Sequence, residues 1–488
     1  MSSRSVTTLI YPVRGRVLGK YLGQLCFSLA AMVVAPLAVA VATGELGLAW
    51  RYATLAILYL AGALSLGRLR APAGIQTNEA LVITALVFII GALGVAWTFT
   101  ACGLAPLDAL FEAISAITTT GLSTVTALST QTPTFLFTRA WVQWYGGLVI
   151  VVLAVAILLE PGIVARRFAA GDVDTEDLVG STRQRAERVL VVYLILTVVG
   201  FVLLWGSGVA PFSALLHVLA AVSTGGFSPY ENSIAGFASW WSQAAVTLVS
   251  LAGAVSFSLY YRLWWRRWRV TLDRDVLALI AAGLAVSVLL AAFMKASGHY
   301  GLRQVLANAP LLAFSAQTTT GFSTLPVADL DPASKLVLVV SMLVGGDNGS
   351  TAGGIKIVRL LMLLSLLRFV IHRSSLPRHA VAQMDIGERR LEHSDMHMAI
   401  AIILLFVGVV LISWLAFLAL GYPALDSLFE TASALATTGL STGVTSASLH
   451  PLLKGVLCFD MLAGRVEIVA LLILLYPRTW FGERGAST

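Results

Sequence analysis

The chain has 488 residues, of which 58% are hydrophobic and only 12% charged, and its mean hydropathy is +0.86, whereas soluble domains carry roughly 25% charged residues. This excludes an ordinary soluble enzyme and marks a polytopic membrane protein. The net charge of +7 does not call for a nucleic-acid partner, because the basic residues cluster between hydrophobic segments, as positive-inside topology requires. Cys26, Cys102 and Cys458 are too few and too scattered for a disulfide framework or a zinc site.

Taken in order, apolar runs long enough to cross a bilayer of ~30 Å begin at 18–43 and 47–67 and form a helical hairpin. No small-residue cleavage site follows the first run, so the first helix is expected to be retained. After Arg68-Leu69-Arg70 come four pairs of spans: 77–101 with 137–160, 187–207 with 236–261, 274–296 with 334–370, and 396–420 with 452–476. Each pair encloses a run of 10 to 14 residues, too short to cross and of a length expected for re-entrant helices.

Each short run ends in a polar loop of one pattern: hydroxyl, glycine, large apolar residue, serine. The copies are Thr118-Thr119-Thr120-Gly121-Leu122-Ser123, Ser223-Thr224-Gly225-Gly226-Phe227-Ser228, Thr318-Thr319-Thr320-Gly321-Phe322-Ser323 and Ala436-Thr437-Thr438-Gly439-Leu440-Ser441. Their column glycines, Gly121, Gly226, Gly321 and Gly439, lie 105, 95 and 118 residues apart. That spacing suits one two-helix membrane unit, and four such units suit four walls of one pore. Asp108, Ser213, Asn308 and Asp426 stand 13 residues before the column glycine and are expected to cap the half-helices, whose negative C-terminal ends then aim at the loops. Glu112, His217 and Glu430 stand nine before it and are expected at the outer mouth, either solvating it or attracting ions.

Most basic residues fall on one side: Arg14, Arg16, Lys20, Arg68, Arg70, then arginines in 166–188, 262–274 and 373–390, and finally Arg478 and Arg484, while the other carries only scattered ones such as Arg139, Arg303, Lys335 and Lys454. With ten spans, both termini are expected in the cytoplasm and all four loops enter from outside. Non-helical backbone at membrane depth is tolerated only when it is buried in protein or lines water. Rings of carbonyl and hydroxyl oxygens replace the hydration shell of a monovalent cation, and no loop core contains an acid. The ion-binding candidates are Thr119, Thr120, Gly121, Thr224, Gly225, Gly226, Thr319, Thr320, Gly321, Thr437, Thr438 and Gly439. Of these, the glycine column is read as the position that all four copies keep.

On these loops the chain resembles the Trk/Ktr/HKT superfamily of potassium translocation proteins, and most its TrkH branch, over the region from about 73 to the C-terminus. The resemblance implies an all-α fold of ten transmembrane helices around a pseudo-fourfold pore. Its parts are an N-terminal hairpin (1–72) and four helix–pore-loop–helix repeats (73–165, 166–270, 271–390 and 391–488). It implies potassium uptake, because in the family four column glycines favour potassium; the only cofactor is the transported potassium ion itself. It also implies a bacterial inner-membrane location within membrane lipid, a homodimer, and a cytoplasmic nucleotide-binding regulatory ring of the TrkA type. The chain has no Gly-x-x-x-x-Gly-Lys-Ser/Thr loop of its own. The basic segments 163–188 and 371–390 are candidate docking surfaces for that ring. A sodium-permeable member, or a proton- or sodium-coupled symporter, is the alternative within the superfamily. An intramembrane enzyme has no catalytic constellation to support it.

Two further features lie beyond the loops. The run 334–370 would be ~55 Å long as one helix, and it is broken by Gly345-Gly346-Asp347-Asn348-Gly349-Ser350-Thr351-Ala352-Gly353-Gly354, with Ile355-Lys356 after it. This is either a packing kink or, by resemblance, an intramembrane gating loop, in which Asp347 and Asn348 depart from the small uncharged residues of the family. Arg465 lies inside the last apolar run. A mid-membrane arginine is costly, so it is expected either to pair with Glu467 or Asp347, or, as the family implies, to project into the pore below the loops as a barrier to cations.

Overall fold

The computed structural model describes residues 12–71, 75–153, 175–265, 274–375, 385–386, 389–390 and 393–481. The first two helices, α1 (Gly15–Ala42) and α2 (Leu46–Leu66), form the expected hairpin and turn at Gly44. Arg14 fastens this hairpin to the next helix through a two-pronged pair with the buried Glu79, Nε to Oε1 at 2.7 Å and Nη2 to Oε2 at 2.8 Å. Such a fork suits guanidinium and carboxylate geometry.

The first unit comprises α3 (Thr77–Phe99), the half-helix α4 (Pro106–Ile117) and α5 (Pro133–Leu153). The second comprises α6 (Thr175–Gly206), α7 (Pro211–Val222), α8 (Trp240–Ala254) and α9 (Phe257–Trp265). In the third are α10 (Arg274–Ala296), α11 (Leu302–Gln317), α12 (Pro332–Val344) and α13 (Ile357–Ser374). A short antiparallel ladder pairs Asp385–Ile386 with Arg389–Arg390. The fourth unit has α14 (His393–Ala419), α15 (Ala424–Leu435), α16 (Pro451–Arg465) and α17 (Ile468–Leu475), and α18 (Pro477–Trp480) closes the described chain.

Among the described residues seven helices are long and apolar enough to span a membrane. The other three expected spans are the second helices of units two, three and four, and each is split. α8 stops before Val255-Ser256, α12 before Gly345, and α16 before Val466-Glu467, where Glu467 takes φ +62. The break in unit three was legible from its glycines. Those in units two and four were not, since each has only a single glycine beside it, Gly253 or Gly464, as the unbroken spans also do.

The units are arranged in a cycle. α5 packs on the half-helix α7 of the next unit, α8 on α11, α12 on α15, and α16 returns to α4. Two ion pairs repeat this handoff: Lys335 of α12 with Asp426 of α15 at 2.9 Å, and Lys454 of α16 with Asp108 of α4 at 2.6 Å. This corrects the capping expectation. Proline opens α4 and α7, so Asp108 and Ser213 fall in the first helical turn rather than at the cap. Asp426 likewise lies inside α15, and Asn308 lies inside α11 with its amide on the Gln304 carbonyl.

Candidate ion-conduction site

All four half-helices end in the same way. In the first, the Thr119 N–H donates to the Ala116 carbonyl at 3.0 Å and the Thr120 N–H to the Ser115 carbonyl at 2.9 Å. This is a Schellman closure, and the same two bonds recur at Thr224 and Gly225, at Thr319 and Thr320, and at Thr437 and Thr438. The residue such a closure places in the left-handed region is usually glycine. Here it is threonine each time, with φ of 54°, 52°, 52° and 50° at Thr119, Thr224, Thr319 and Thr437. A β-branched residue there is strained, and strain of this kind gathers at functional sites. The threonine two before the glycine is therefore as constant among the repeats as the glycine itself, which corrects the sequence reading that singled out the glycine alone.

The column glycines also have positive φ: 92° at Gly121, 74° at Gly226, 84° at Gly321 and 89° at Gly439. Side chains there would meet backbone. A Cβ on Gly121 would strike the Gly225 carbonyl, one on Gly226 the Thr320 carbonyl, one on Gly321 the Thr438 carbonyl, and one on Gly439 the Thr120 carbonyl. Loop one thus touches two, two touches three, three touches four, and four touches one. The four glycines line one open cavity of about 540 Å³ together with Ser123, Ser228, Ser323 and Ser441.

The hydroxyls differ in their duties. Those of Thr120 and Thr320 are taken up by Thr118 and Thr318 behind them, at 2.8 Å each, so these residues offer the site a carbonyl rather than a side chain. The Thr119, Thr437 and Thr438 hydroxyls are buried without a hydrogen-bond partner among the described residues, while that of Thr224 turns to the Ser223 carbonyl. Gly225 stands where the other loops have threonine because Gln143 of α5 fills that space. The Gln143 amide donates to the Gly225 carbonyl at 2.6 Å and accepts the Phe227 N–H at 3.2 Å. Gln143 was not singled out in the sequence, since a lone glutamine in an apolar run carries no motif.

Glu112, His217 and Glu430 are not at the outer mouth. Each is 0% exposed and faces its own loop from behind. Burial against hydroxyl and amide donors, rather than contact with solvent, answers both readings of these residues.

The long break joins α12 to α13 directly beneath the loops. Gly345, Gly349 and Gly354 have φ of 72°, 75° and 75°. The Gly345 carbonyl accepts from the Gln317 amide at 2.8 Å, and the Gly346 carbonyl accepts the Ile357 N–H at 3.0 Å. The Gly353 N–H donates to the Thr319 hydroxyl at 2.6 Å, and a Cβ on Gly353 would meet the Thr437 hydroxyl and the Ala436 carbonyl. Thr351 reaches the Val222 and Gly253 carbonyls with its hydroxyl at 3.0 and 2.9 Å. The Ser350 hydroxyl donates to the Asp347 carbonyl, Phe257 N–H donates to the Gly349 carbonyl, and Lys356 curls its ammonium onto the Ala352 carbonyl.

Neither acid expected beside Arg465 pairs with it. Arg465 Nη1 donates to the Thr351 carbonyl at 2.7 Å and Nη2 to the Gly146 carbonyl at 3.4 Å. Glu467 instead holds Arg359 at 2.7 Å. Asp347 accepts the Ser256 and Asn348 N–H groups at 3.1 and 2.6 Å. The Thr351 carbonyl of the break and the Gly146 carbonyl of α5 supply the partial negative charge that the expected ion pair would have provided. Of the docking segments 163–188 and 371–390, residues 163–174, 376–384 and 387–388 lie outside the described residues.

A model of the TrkH family, described as cation transport proteins, matches residues 68–479. An uncharacterized cation transporter of Methanocaldococcus jannaschii is 27% identical over 85% of this chain and 86% of its own length. The Trk system potassium uptake protein TrkH of Vibrio parahaemolyticus is 30% identical over 76% of this chain and 79% of its own. The crystal structure of the potassium transporter TrkH from that organism superposes with a TM-score of 0.84 at 26% identity, covering 96% of this chain and all of that one. With the family model spanning all four loops and the fold shared from end to end, this chain belongs to the TrkH family of cation transport proteins, a transport family and not an enzyme family.

Proposed function

We propose that the protein takes up potassium through the ring formed by its four loops, at the inner membrane of a bacterium and with both termini in the cytoplasm. The observation that carries this reading is the closed cycle of glycine-to-carbonyl contacts, Gly121 to Gly225, Gly226 to Thr320, Gly321 to Thr438 and Gly439 to Thr120. Carbonyls set at fixed spacing, with no carboxylate among them, suit a dehydrated monovalent cation. The names of the relatives supply the choice of potassium among such ions.

In this reading the ion passes the carbonyls of Thr120, Gly225, Thr320 and Thr438 and meets the hydroxyl level of Thr119, Thr224, Thr319 and Thr437. Gly345–Lys356 closes the path beneath, and Arg465 secures the closed loop while opposing cation passage by its charge. Each of the four units, 73–165, 166–270, 271–390 and 391–488, supplies one wall. A second copy of the chain and a cytoplasmic nucleotide-binding ring of the TrkA type complete the assembly, the ring acting on the loop through the cytoplasmic segments.

The test is rescue of a potassium-uptake-deficient bacterium at low potassium with the regulatory ring supplied, combined with potassium, rubidium and sodium flux in liposomes with and without a pH gradient. Rescue and uncoupled flux favouring potassium and rubidium are expected. Flux that requires a proton or sodium gradient would replace this reading with that of a coupled symporter, and no rescue would overturn the potassium assignment.

A further inference from the structure

Behind the loops the four repeats are not alike. In repeat one the Ser123 hydroxyl donates to Glu112 at 3.0 Å, and the same carboxylate receives Arg139 Nε at 2.5 Å. In repeat four Glu430 accepts from the Ser441 hydroxyl at 2.7 Å, from the Thr442 N–H at 2.7 Å and hydroxyl at 3.0 Å, and from the Thr445 hydroxyl at 2.5 Å. Repeat two uses His217. Its Nδ1 faces the Ser213 carbonyl at 2.8 Å, which can only accept, so Nδ1 carries the hydrogen and Nε2 accepts from the Ser228 hydroxyl at 3.0 Å. In all three, a buried side chain on the half-helix holds the serine two residues beyond the column glycine.

Repeat three has Leu312 at that position, and Leu312 is fully buried and apolar. The Ser323 hydroxyl turns instead to the Leu325 carbonyl within its own loop. The outer end of this loop is held from a neighbour: the Ser323 N–H donates to the Ser233 hydroxyl at 3.1 Å, and the Ala235 N–H to the Ser323 carbonyl at 3.3 Å. Ser233 belongs to the external segment of unit two and itself takes φ +53.

Resting on the potassium reading above, we infer that Glu112, His217 and Glu430 are positioning residues for ion discrimination, and that loop three is the unbraced quarter whose outer end follows the external segment around Ser233. The Schellman closure anchors the inner end of every loop. Only loops one, two and four are also tied at the outer end to their own half-helix, so only there does one element fix the ring carbonyls from both sides; loop three takes its outer hold from unit two. A carbonyl ring discriminates between ions only while its spacing and field resist adapting to the smaller ion. Glu112 and Glu430 each take several donors at once, and buried networks of this kind are held more firmly than single bonds, which makes them the stiffest braces.

The experiment is a serine scan in the full-length protein reconstituted in liposomes, read as the ratio of potassium to sodium flux, with rubidium as a third ion. The ratio does not depend on how much protein is active. Ser123→Ala and Ser441→Ala are expected to lower it by about threefold or more, as leaving a buried acceptor without its donor warrants, while Ser323→Ala, which removes no tie to a half-helix, lowers it less than either. Glu430→Gln, which keeps acceptor capacity, is expected to fall between wild type and Glu430→Ala. Equal effects at all four serines, or an effect confined to Ser323→Ala, overturns the inference. Leu312→Met serves as a packing control: a loss of discrimination there as large as in Ser441→Ala also overturns it. Should wild type itself not favour potassium over sodium, the proposed function fails. The bracing is then still judged by whether the flux ratio moves further in the Ser123 and Ser441 variants than in the Ser323 variant.

Discussion

Arg465 reaches across 114 positions of sequence to donate to the Thr351 carbonyl at 2.7 Å, joining the break in the last span to the loop beneath the site. One guanidinium, 4% exposed, thus does two things: it holds the loop by a hydrogen bond and sets a positive charge in the membrane interior.

Removing it acts on both. Arg465→Ala is expected to raise cation flux severalfold at equal surface expression. Arg465→Lys keeps the charge but not the paired donors aimed at Thr351 and Gly146, so its flux is expected to lie between the two. Stopped-flow flux in liposomes measures this; reduced flux in Arg465→Ala would show that the residue supports conduction.

Asp347 provides a second hold on the same loop, through the Ser256 N–H at 3.1 Å. Asp347→Ala is expected to raise basal flux, and Asp347→Asn to raise it less, because the amide oxygen still accepts one N–H. Tracer uptake by the two variants side by side checks the order.

The column glycines are expected to tolerate no side chain. In Gly321→Ser the new Cβ meets the Thr438 carbonyl, at a φ of 84° that costs an L-residue roughly 1–2 kcal/mol. Potassium-dependent growth should fall, and the potassium-to-sodium flux ratio with it. By the same contact, Gly121→Ser displaces the Gly225 carbonyl, so loss in one variant and full activity in the other would break the equivalence of the four positions.

The cyclic ion pairs concern stability. Lys454 and Asp108 side chains are 6% and 17% exposed, so Asp108→Asn leaves a partly buried ammonium without its anion. A loss of about 1–3 kcal/mol is expected, seen as a lower thermal midpoint in detergent. The double change Asp108→Leu with Lys454→Met is expected to recover much of it, since apolar replacement of both partners of such a pair is often neutral.

Much of this molecule could be read from its sequence because the relevant chemistry is local. Span length follows from apolar run length, and a half-helix too short to cross declares itself by its length. The glycines at 121, 226, 321 and 439 stand where the backbone needs a conformation that side chains oppose. The glycine-rich break after Val344 is legible on the same ground.

What only the tertiary structure decided are the partners of polar groups buried among apolar ones. Glu112 and Glu430 sit on half-helices where sequence alone allows them to face either the mouth or the protein, and the fold turns them inward onto Ser123 and Ser441. The breaks after Ala254 and Arg465 carry no glycine-rich run, only the single Gly253 and Gly464, and their freed backbone groups are satisfied by segments distant in the chain, such as Asp347 accepting from Ser256. In a membrane interior every buried donor must find an acceptor within the protein; that acceptor lies across a loop of the same repeat for Ser123 and Ser441 and on another repeat for Ser256, and no local pattern specifies which.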